Sequence, residues 1–282
     1  MEIGIGLPNA VRGVDRAGTV DWARRAENAG FSSLGTIGRI VYPNYEELIS
    51  LAAAAAVTER IRLVTDVLLA PLRRNTALFA KQVATLDSLS EGRVVLGLAV
   101  GGRQDDYEVS GVPFAERGKI FDRQLEELVA IWESDRVGPP AARGGRPRML
   151  IGGSDDITFR RAARYADGWT QGGNTPEALA AGASKLTDCW KAEGREGNPY
   201  KMALFYFGLG DRAQEQARED LADYYAWLGE EIANQIVASA ATDTDTVKSY
   251  LSAYEKAGAD EVICFPVSTD PGQVELLAEA AL

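Results

Sequence analysis

Short runs rich in Val, Ile and Leu recur through the first third of the 282-residue chain at intervals of about 30 residues, the length of one strand-plus-helix unit. The runs are Glu2 to Leu7, Ser33 to Ile37, Ile61 to Thr65 and Val94 to Ala99, and the second half continues with strands at Arg148 to Ile151, Met202 to Gly208 and Glu261 to Phe265 and a short one at Gly168 to Thr170. Between and after them, apolar residues at three- and four-residue spacing predict helices over Val20 to Ala29, Tyr45 to Val57, Thr76 to Leu89, Glu116 to Glu133, Ile157 to Ala166, Glu177 to Glu193, Arg212 to Ser239 and Asp245 to Ala257. Eight strands alternating with helices predict an α/β fold, a single (β/α)8 TIM barrel domain over residues 1–282. An open doubly wound sheet would leave edges and usually carries fewer strands. Two irregular stretches, Gly101 to Ala115 and Ser134 to Pro147, read as loop insertions too short to be domains.

A barrel of this kind works at the face where its strands end, so the residues to weigh follow Leu7, Ile37, Thr65, Ala99, Ile151, Thr170, Gly208 and Phe265. Composition then removes whole classes of chemistry. The chain has no histidine, which excludes serine–histidine and cysteine–histidine nucleophiles, imidazole metal ligands and an imidazole base. Two cysteines, Cys189 and Cys264, are too few for a zinc site and read as free thiols; no metal is expected. A net charge of -11 is the wrong sign for a nucleic-acid partner. The opening MEIGIGLPNA has no charged start followed by a long apolar run, and no apolar stretch approaches a membrane span, so a cytoplasmic protein with no membrane partner is expected. Schiff-base chemistry needs a lysine at a strand exit, and Lys81, Lys119, Lys185, Lys191, Lys201, Lys248 and Lys256 all fall elsewhere.

The strand exits carry three groups that could bind a ligand. After the fifth strand, Gly152-Gly153-Ser154 leads into a helix whose unpaired N–H groups could seat a phosphate; an ordinary helix start, with Ser154 as cap and Asp155 and Asp156 in the first turn, explains the same residues. After the fourth, Gly101 and Gly102 precede Arg103 and Tyr107, which suit ligand contact, while Asp106 and Glu108 are expected to be solvated. After the third, Asp66 ends an apolar run, as a turn residue or as a ligand-positioning carboxylate.

These residues sit in segments that resemble the bacterial luciferase-like superfamily of flavin- and deazaflavin-dependent oxidoreductases. The resemblance is carried by IGIGLPN, AENAGFSSL, VSGVPFAERGKIFDRQLEELVAIW and, most specifically, ERIRLVTDVLLAPLRRNTALFAKQVATLDSLSEGRVVLGLAVG and IGGSDDITFRRAARYADGWTQGG. It spans nearly the whole chain and implies the same eight-stranded barrel with a cofactor at the strand C-termini.

The resemblance also implies a site. The cofactor ring would lie over a bulge with a cis peptide between Asp66 and Val67. Ribityl and phosphate contacts map onto Val100, Gly101 and Asp105, onto Gly152, Gly153, Asp155 and Asp156, and onto Thr170 and Gln171. Many members follow the second strand with an acid and a histidine, where this chain has Gly38 and Arg39; a glutamate used by the sugar-phosphate dehydrogenases is replaced by Gly102. Arg39, Tyr107 and Asp66 are therefore the candidates for substrate-side roles, with Arg39 and Tyr107 expected to face substrate at the mouth. Coenzyme F-420, a deazaflavin, is the first expectation for the cofactor, implying hydride transfer to or from a small organic substrate. Reduced FMN is the alternative, implying a monooxygenase, and a relative that binds cofactor without turnover is a further one. A homo-oligomer, most simply a dimer, is compatible with this reading.

Overall fold

In the computed structural model, which describes residues 1–134, 137–140, 142 and 145–282, the apolar runs form eight parallel strands that close into a barrel in sequence order. They are β1 (Glu2–Gly6), β2 (Ser33–Thr36), β3 (Arg62–Leu69), β4 (Val94–Ala99), β5 (Arg148–Gly152), β6 (Gly168–Gln171), β7 (Tyr200–Phe207) and β8 (Glu261–Pro266). The ring closes where β1 pairs with β8, from Glu2 against Glu261 to Ile5 against Cys264. Around it run α1 (Arg16–Ala29), α2 (Glu47–Ala55), α3 (Thr76–Leu89), α4 (Gln104–Val109), α5 (Arg117–Trp132), α6 (Asp156–Tyr165), α7 (Pro176–Ala192), α8 (Ala213–Tyr224), α9 (Glu230–Ala238), α10 (Thr244–Lys256) and α11 (Gly272–Ala281).

Alternation along each strand divides the core in two. Val64, Val95, Leu150, Met202, Leu204, Tyr206, Ile263 and Phe265 fill the barrel interior, while Leu63, Leu96, Ile151, Ala203, Phe205 and Val262 face the helices. The end where the strands begin is closed by a polar plug. Buried Glu261 accepts the Ser32 and Ser33 hydroxyls at 2.5 and 2.7 Å and the Arg62 guanidinium at 2.9 Å. Local caps set the helix starts: Asp15, Asn75 and Asp243 accept the amides of Gly18, Leu78 and Thr246, each worth about 1 kcal/mol.

Four boundaries differ from the sequence reading. The third strand continues to Leu69, because a register shift against β4 between Thr65 and Leu68 absorbs Asp66 and Val67 without ending the pairing. The helix expected over Arg212 to Ser239 is broken into α8, a 3-10 turn at Ala226–Leu228, and α9, with Gly229 at φ +87° making the corner. The insertion Gly101 to Ala115 holds α4 and a 3-10 turn at Phe114–Glu116. A C-terminal helix, α11, packs against α1 and α10 to complete the outer layer where no helix was expected. Within the insertion Ser134 to Pro147, residues 135, 136, 141, 143 and 144 lie outside the described residues.

Candidate functional site

Toward the mouth, Asp66 sits at the register shift of β3 and Thr170 near the end of β6. The Thr170 hydroxyl donates to Asp66 Oδ1 at 2.7 Å, joining two strands 104 residues apart. Both side chains are buried, and Asp66 Oδ2 has no hydrogen-bond partner among the described residues. Burial penalises the charged form and pushes the Asp66 carboxyl up to about 7, against the opposing hydrogen bond from Thr170. The peptide between Asp66 and Val67 is cis. Val67 lies partly exposed beside this turn, and its Cγ1 occupies space that side chains on β4 and β5 would fill: a Cβ on Gly152 would sit 2.7 Å from it. Beyond Thr170, Gln171 is also buried; its amide nitrogen donates to the Thr175 carbonyl at 3.3 Å, and its Oε1 has no partner.

The β5 exit is open. Gly152 is buried, whereas Gly153 through Ile157 are exposed. Gly153 adopts φ +130°, which side-chain-bearing residues rarely adopt, and its carbonyl accepts the Trp169 indole N–H at 2.7 Å. A Cβ there would lie 2.7 Å from Thr158 Oγ1. Asp155 occupies the N-cap position of α6 without a side-chain cap bond, and Asp156 turns to Lys185 at 2.8 Å, which lowers its carboxyl below the usual range. The amide-lined start of α6 is thus exposed while one of its two acids is drawn to α7.

The β4 exit holds the charges in an arrangement that the sequence hides. Asp106 is 0% exposed, contrary to the expectation of a solvated loop acid. Its Oδ2 takes Arg39 Nε at 3.0 Å, and its Oδ1 accepts the amides of Ile40 and Val41 at 2.9 and 2.7 Å. Arg39 Nη2 reaches Asp105 at 2.8 Å and the Val41 carbonyl at 3.1 Å. The guanidinium thus clamps the β2 loop to α4. Tyr107 is buried as well, edge-on to Phe114, with its hydroxyl donating to the Val100 carbonyl beside Gly101. Sequence placed Arg39 and Tyr107 facing substrate; the structure turns both into the walls that shape the β4 exit.

Gly38 has a counterpart that spacing could not show. A Cβ at position 38 would lie 1.9 Å from Glu47 Oε1, so the Glu47 carboxylate fills the space that a side chain there would need. Glu47 is buried, and desolvation raises its carboxyl to about 7 despite Arg73 at 3.1 Å.

The segment after β7 folds back across the mouth. Asp223 at the end of α8 takes Arg12 at 2.7 Å and the Tyr42 hydroxyl at 2.6 Å, tying α8 to the loops after β1 and β2. Tyr206, the last inward residue of β7 within the interior cluster, shares a 2.6 Å hydroxyl contact with Tyr225. Tyr224, Tyr225 and Trp227 surround Arg103. Three aromatics within four residues, Tyr224-Tyr225-Ala226-Trp227, interrupting an otherwise polar helical stretch, were the sequence signal for this cover.

Among the described residues no group of three or more His, Cys, Asp or Glu could hold a metal ion, and no helix is long and apolar enough to cross a membrane. The buried oxygens without partners at Asp66 and Gln171, with the open glycine turn at Gly153, fit a ligand that brings hydrogen-bonding edges and an anionic tail.

Comparison with known proteins bears on the family and the fold. The chain is 36% identical over 172 residues to an uncharacterized protein of Mycobacterium tuberculosis, a match covering 55% of this chain and 60% of that protein. The matched region thus spans under two thirds of that relative's length. An F420-dependent secondary alcohol dehydrogenase, solved in complex with an F420-acetone adduct, shares the fold with a TM-score of 0.82 at 18% identity, covering 99% of this chain and 97% of that one. The oxygenating constituent of 3,6-diketocamphane monooxygenase from Pseudomonas putida, in complex with FMN, gives 0.75 at 16% identity, with coverage of 99% and 97%. A family model described as luciferase-like monooxygenase matches residues 1–263, and the chain belongs to that family.

Proposed function

We propose that the chain is an oxidoreductase that binds a deazaflavin, coenzyme F-420, at the C-terminal mouth of the barrel and uses it on a small organic substrate. The observation that carries this reading is the buried Asp66 carboxyl, with one oxygen held by Thr170 and the other free of any partner. A carboxyl poised near neutrality can donate to or accept from a heterocycle edge. When bound, the deazaflavin supplies or takes up hydride. Asp66, Val67, Thr170 and Gln171 would hold the ring end; Val100, Gly101, Asp105, Gly152, Gly153, Asp155 and Asp156 would line the ribityl and phosphate end. Arg39 and Tyr107 act as positioning residues through the loops they clamp.

The deazaflavin is put first because hydride delivery asks little of the protein beyond orientation and a neutral donor. Burial raises the hydroxyls of Tyr206 and Tyr225 above the ordinary range, so both stay protonated, one O–H bonding the pair together and the other left as a neutral donor. FMN-dependent oxygenation is the second reading, favoured by the monooxygenase description of the matching family. Titrating each cofactor into the purified protein and following its fluorescence tests the choice. Binding of coenzyme F-420 near the micromolar range, about -8 kcal/mol, is expected. Binding of FMN alone reverses the order, and binding of neither removes the oxidoreductase reading. Tight binding with no consumption across a substrate panel marks a binding protein instead.

The glycine turn gives a sharper check. Gly153→Val forces a β-branched residue into φ +130° against Thr158. It should weaken cofactor binding by about tenfold or more, roughly 1.4 kcal/mol, through the loop whose amides would meet the phosphate. The β5–β6 pairing lies on the other side of Gly152 and should persist, so circular dichroism stays native. An unchanged dissociation constant would remove the phosphate from this turn.

A further inference from the structure

Four arginines are buried among the described residues: Arg39, Arg93, Arg103 and Arg161. Arg39 is held by Asp105 and Asp106, Arg161 by Asp122, and Arg93 by the carbonyls of Ser90, Ile61 and Thr58. Among the described residues Arg103 has no carboxylate or carbonyl of this kind, and its polar neighbour in the cage is the Tyr224 hydroxyl. Arg103 is 8% exposed, it forms no ion pair among the described residues, and its Nη1 is buried without a hydrogen-bond partner.

What surrounds Arg103 is aromatic. Its guanidinium carbon lies 4.1 Å from the Tyr224 ring centroid, 5.2 Å from Trp227 and 5.5 Å from Tyr225. Each desolvated cation–π contact offsets up to about 2 kcal/mol, whereas an unpaired buried ion costs several kcal/mol. Ring faces also leave directional N–H donors unsatisfied. Rings of this kind stabilise the charge without neutralising it, and they keep carboxylates of the chain away. Trp227, the outer wall of the cage, is 43% exposed and is the ring that an anion entering from solvent would displace. The inner wall leads into the mouth: Tyr225 touches both Arg103 and the Tyr206 hydroxyl.

We propose that the Arg103 guanidinium, caged by Tyr224, Tyr225 and Trp227, is the recognition site for an anionic oxygen group, a carboxylate or phosphate, on the substrate. This rests on the oxidoreductase reading and adds the class of substrate: an organic acid whose remaining body extends from Arg103 past Tyr225 toward Tyr206. The Tyr206–Tyr225 hydroxyl pair, with one O–H used in the bond between them, then offers its other O–H as a neutral donor to the neutral part of that substrate.

Calorimetric titration of benzoate against benzamide, acetate against acetamide, and inorganic phosphate, with and without saturating cofactor, tests the proposal. The expected result is saturable binding of at least one anion, about tenfold or more tighter than its neutral amide. Arg103→Met should erase that preference, Arg103→Lys should retain part of it, and the cofactor dissociation constant should not move in either. Removing an unpaired buried cation should also leave the melting temperature unchanged or raise it. Equal affinity for acid and amide, or no saturable anion binding up to about 20 mM, overturns the proposal. So does a cofactor affinity lost with Arg103→Met, which gives the arginine to the cofactor, or a melting temperature lowered by several degrees, which makes the cage a structural latch for the cover over the mouth. If neither cofactor binds while the anions do, the oxidoreductase reading fails and the anion site stands apart from it.

Discussion

Arg39→Ala should destabilise the protein by about 3–5 kcal/mol, because it removes one partner of a buried ion pair and leaves the other charge behind. Arg39 and Asp106 have side-chain exposures of 5% and 0%. The two amides on Asp106 Oδ1 remain in the variant, so that oxygen keeps its partners, but Oδ2 faces an empty space where the guanidinium was. Asp105 is half-exposed and can turn to water at little cost. Arg39→Lys keeps the charge and loses the fork, and should fall between. Asp106→Asn added to Arg39→Ala should recover part of the loss, since a neutral amide can stay buried on the two backbone donors; the pair should be non-additive by about 1 kcal/mol or more. Urea unfolding of the parent, Arg39→Ala, Arg39→Lys, Asp106→Asn and the double variant measures this. A loss below about 1 kcal/mol for Arg39→Ala would mean that water reaches Asp106 and that the clamp between the β2 loop and α4 carries no strain-bearing role. The activity of this variant therefore reports on loop placement before it reports on chemistry.

That same pair shows where reading the chain succeeds and where it stops. Strand and helix positions follow from periodicities confined to each segment, so β1 and β4 could be read off Ile, Val and Leu alone, and closure follows from the number of strands. The resemblance placed the turn at Asp66 and Val67 after the third strand; the structure has it inside β3, at the register shift. Asp106 is different. It was read as solvated because most loop acids are, and the residue that buries it is 67 positions earlier. Nothing local to QDDYEV distinguishes the acid that meets Arg39 inside from Glu108, which stays exposed. Gly38 read as a loss because its partner, the Glu47 side chain, comes from the next helix. The helix over Arg212 to Ser239 failed for a local reason: Gly229 was available as a breaker, and the apolar spacing across it outweighed it in the reading. Contacts distant in sequence, which position charges, are invisible to pattern; patterns repeated within a segment are not.

Asp66→Asn should change how stability depends on pH, with the larger effect above neutrality. In the unfolded chain an aspartate titrates at about 3.9; in the fold, burial moves Asp66 up to about 7. Between those values the folded state holds a proton that the unfolded state has released, so the contribution of this group to stability is intact below about pH 4 and is lost as pH rises toward 7. Three pH units at 1.36 kcal/mol each set an upper bound of about 4 kcal/mol. Asparagine can accept the Thr170 hydroxyl through its carbonyl and never ionises, so the variant should match the parent near pH 4 and exceed it by up to that amount at pH 8. Glu47 and Asp220, whose carboxyls are also raised to about 7 by burial, give both proteins a falling baseline that cancels in the difference. Urea midpoints of parent and variant at pH 4.5, 6 and 8 measure the divergence. The cofactor supplies an independent readout: if Asp66 meets its ring, the parent's dissociation constant should carry the same titration and the variant's should not. Parallel stability curves across the range would show that Asp66 is ionised throughout, and its free oxygen would then be an acceptor only, in need of a donor from whatever it binds.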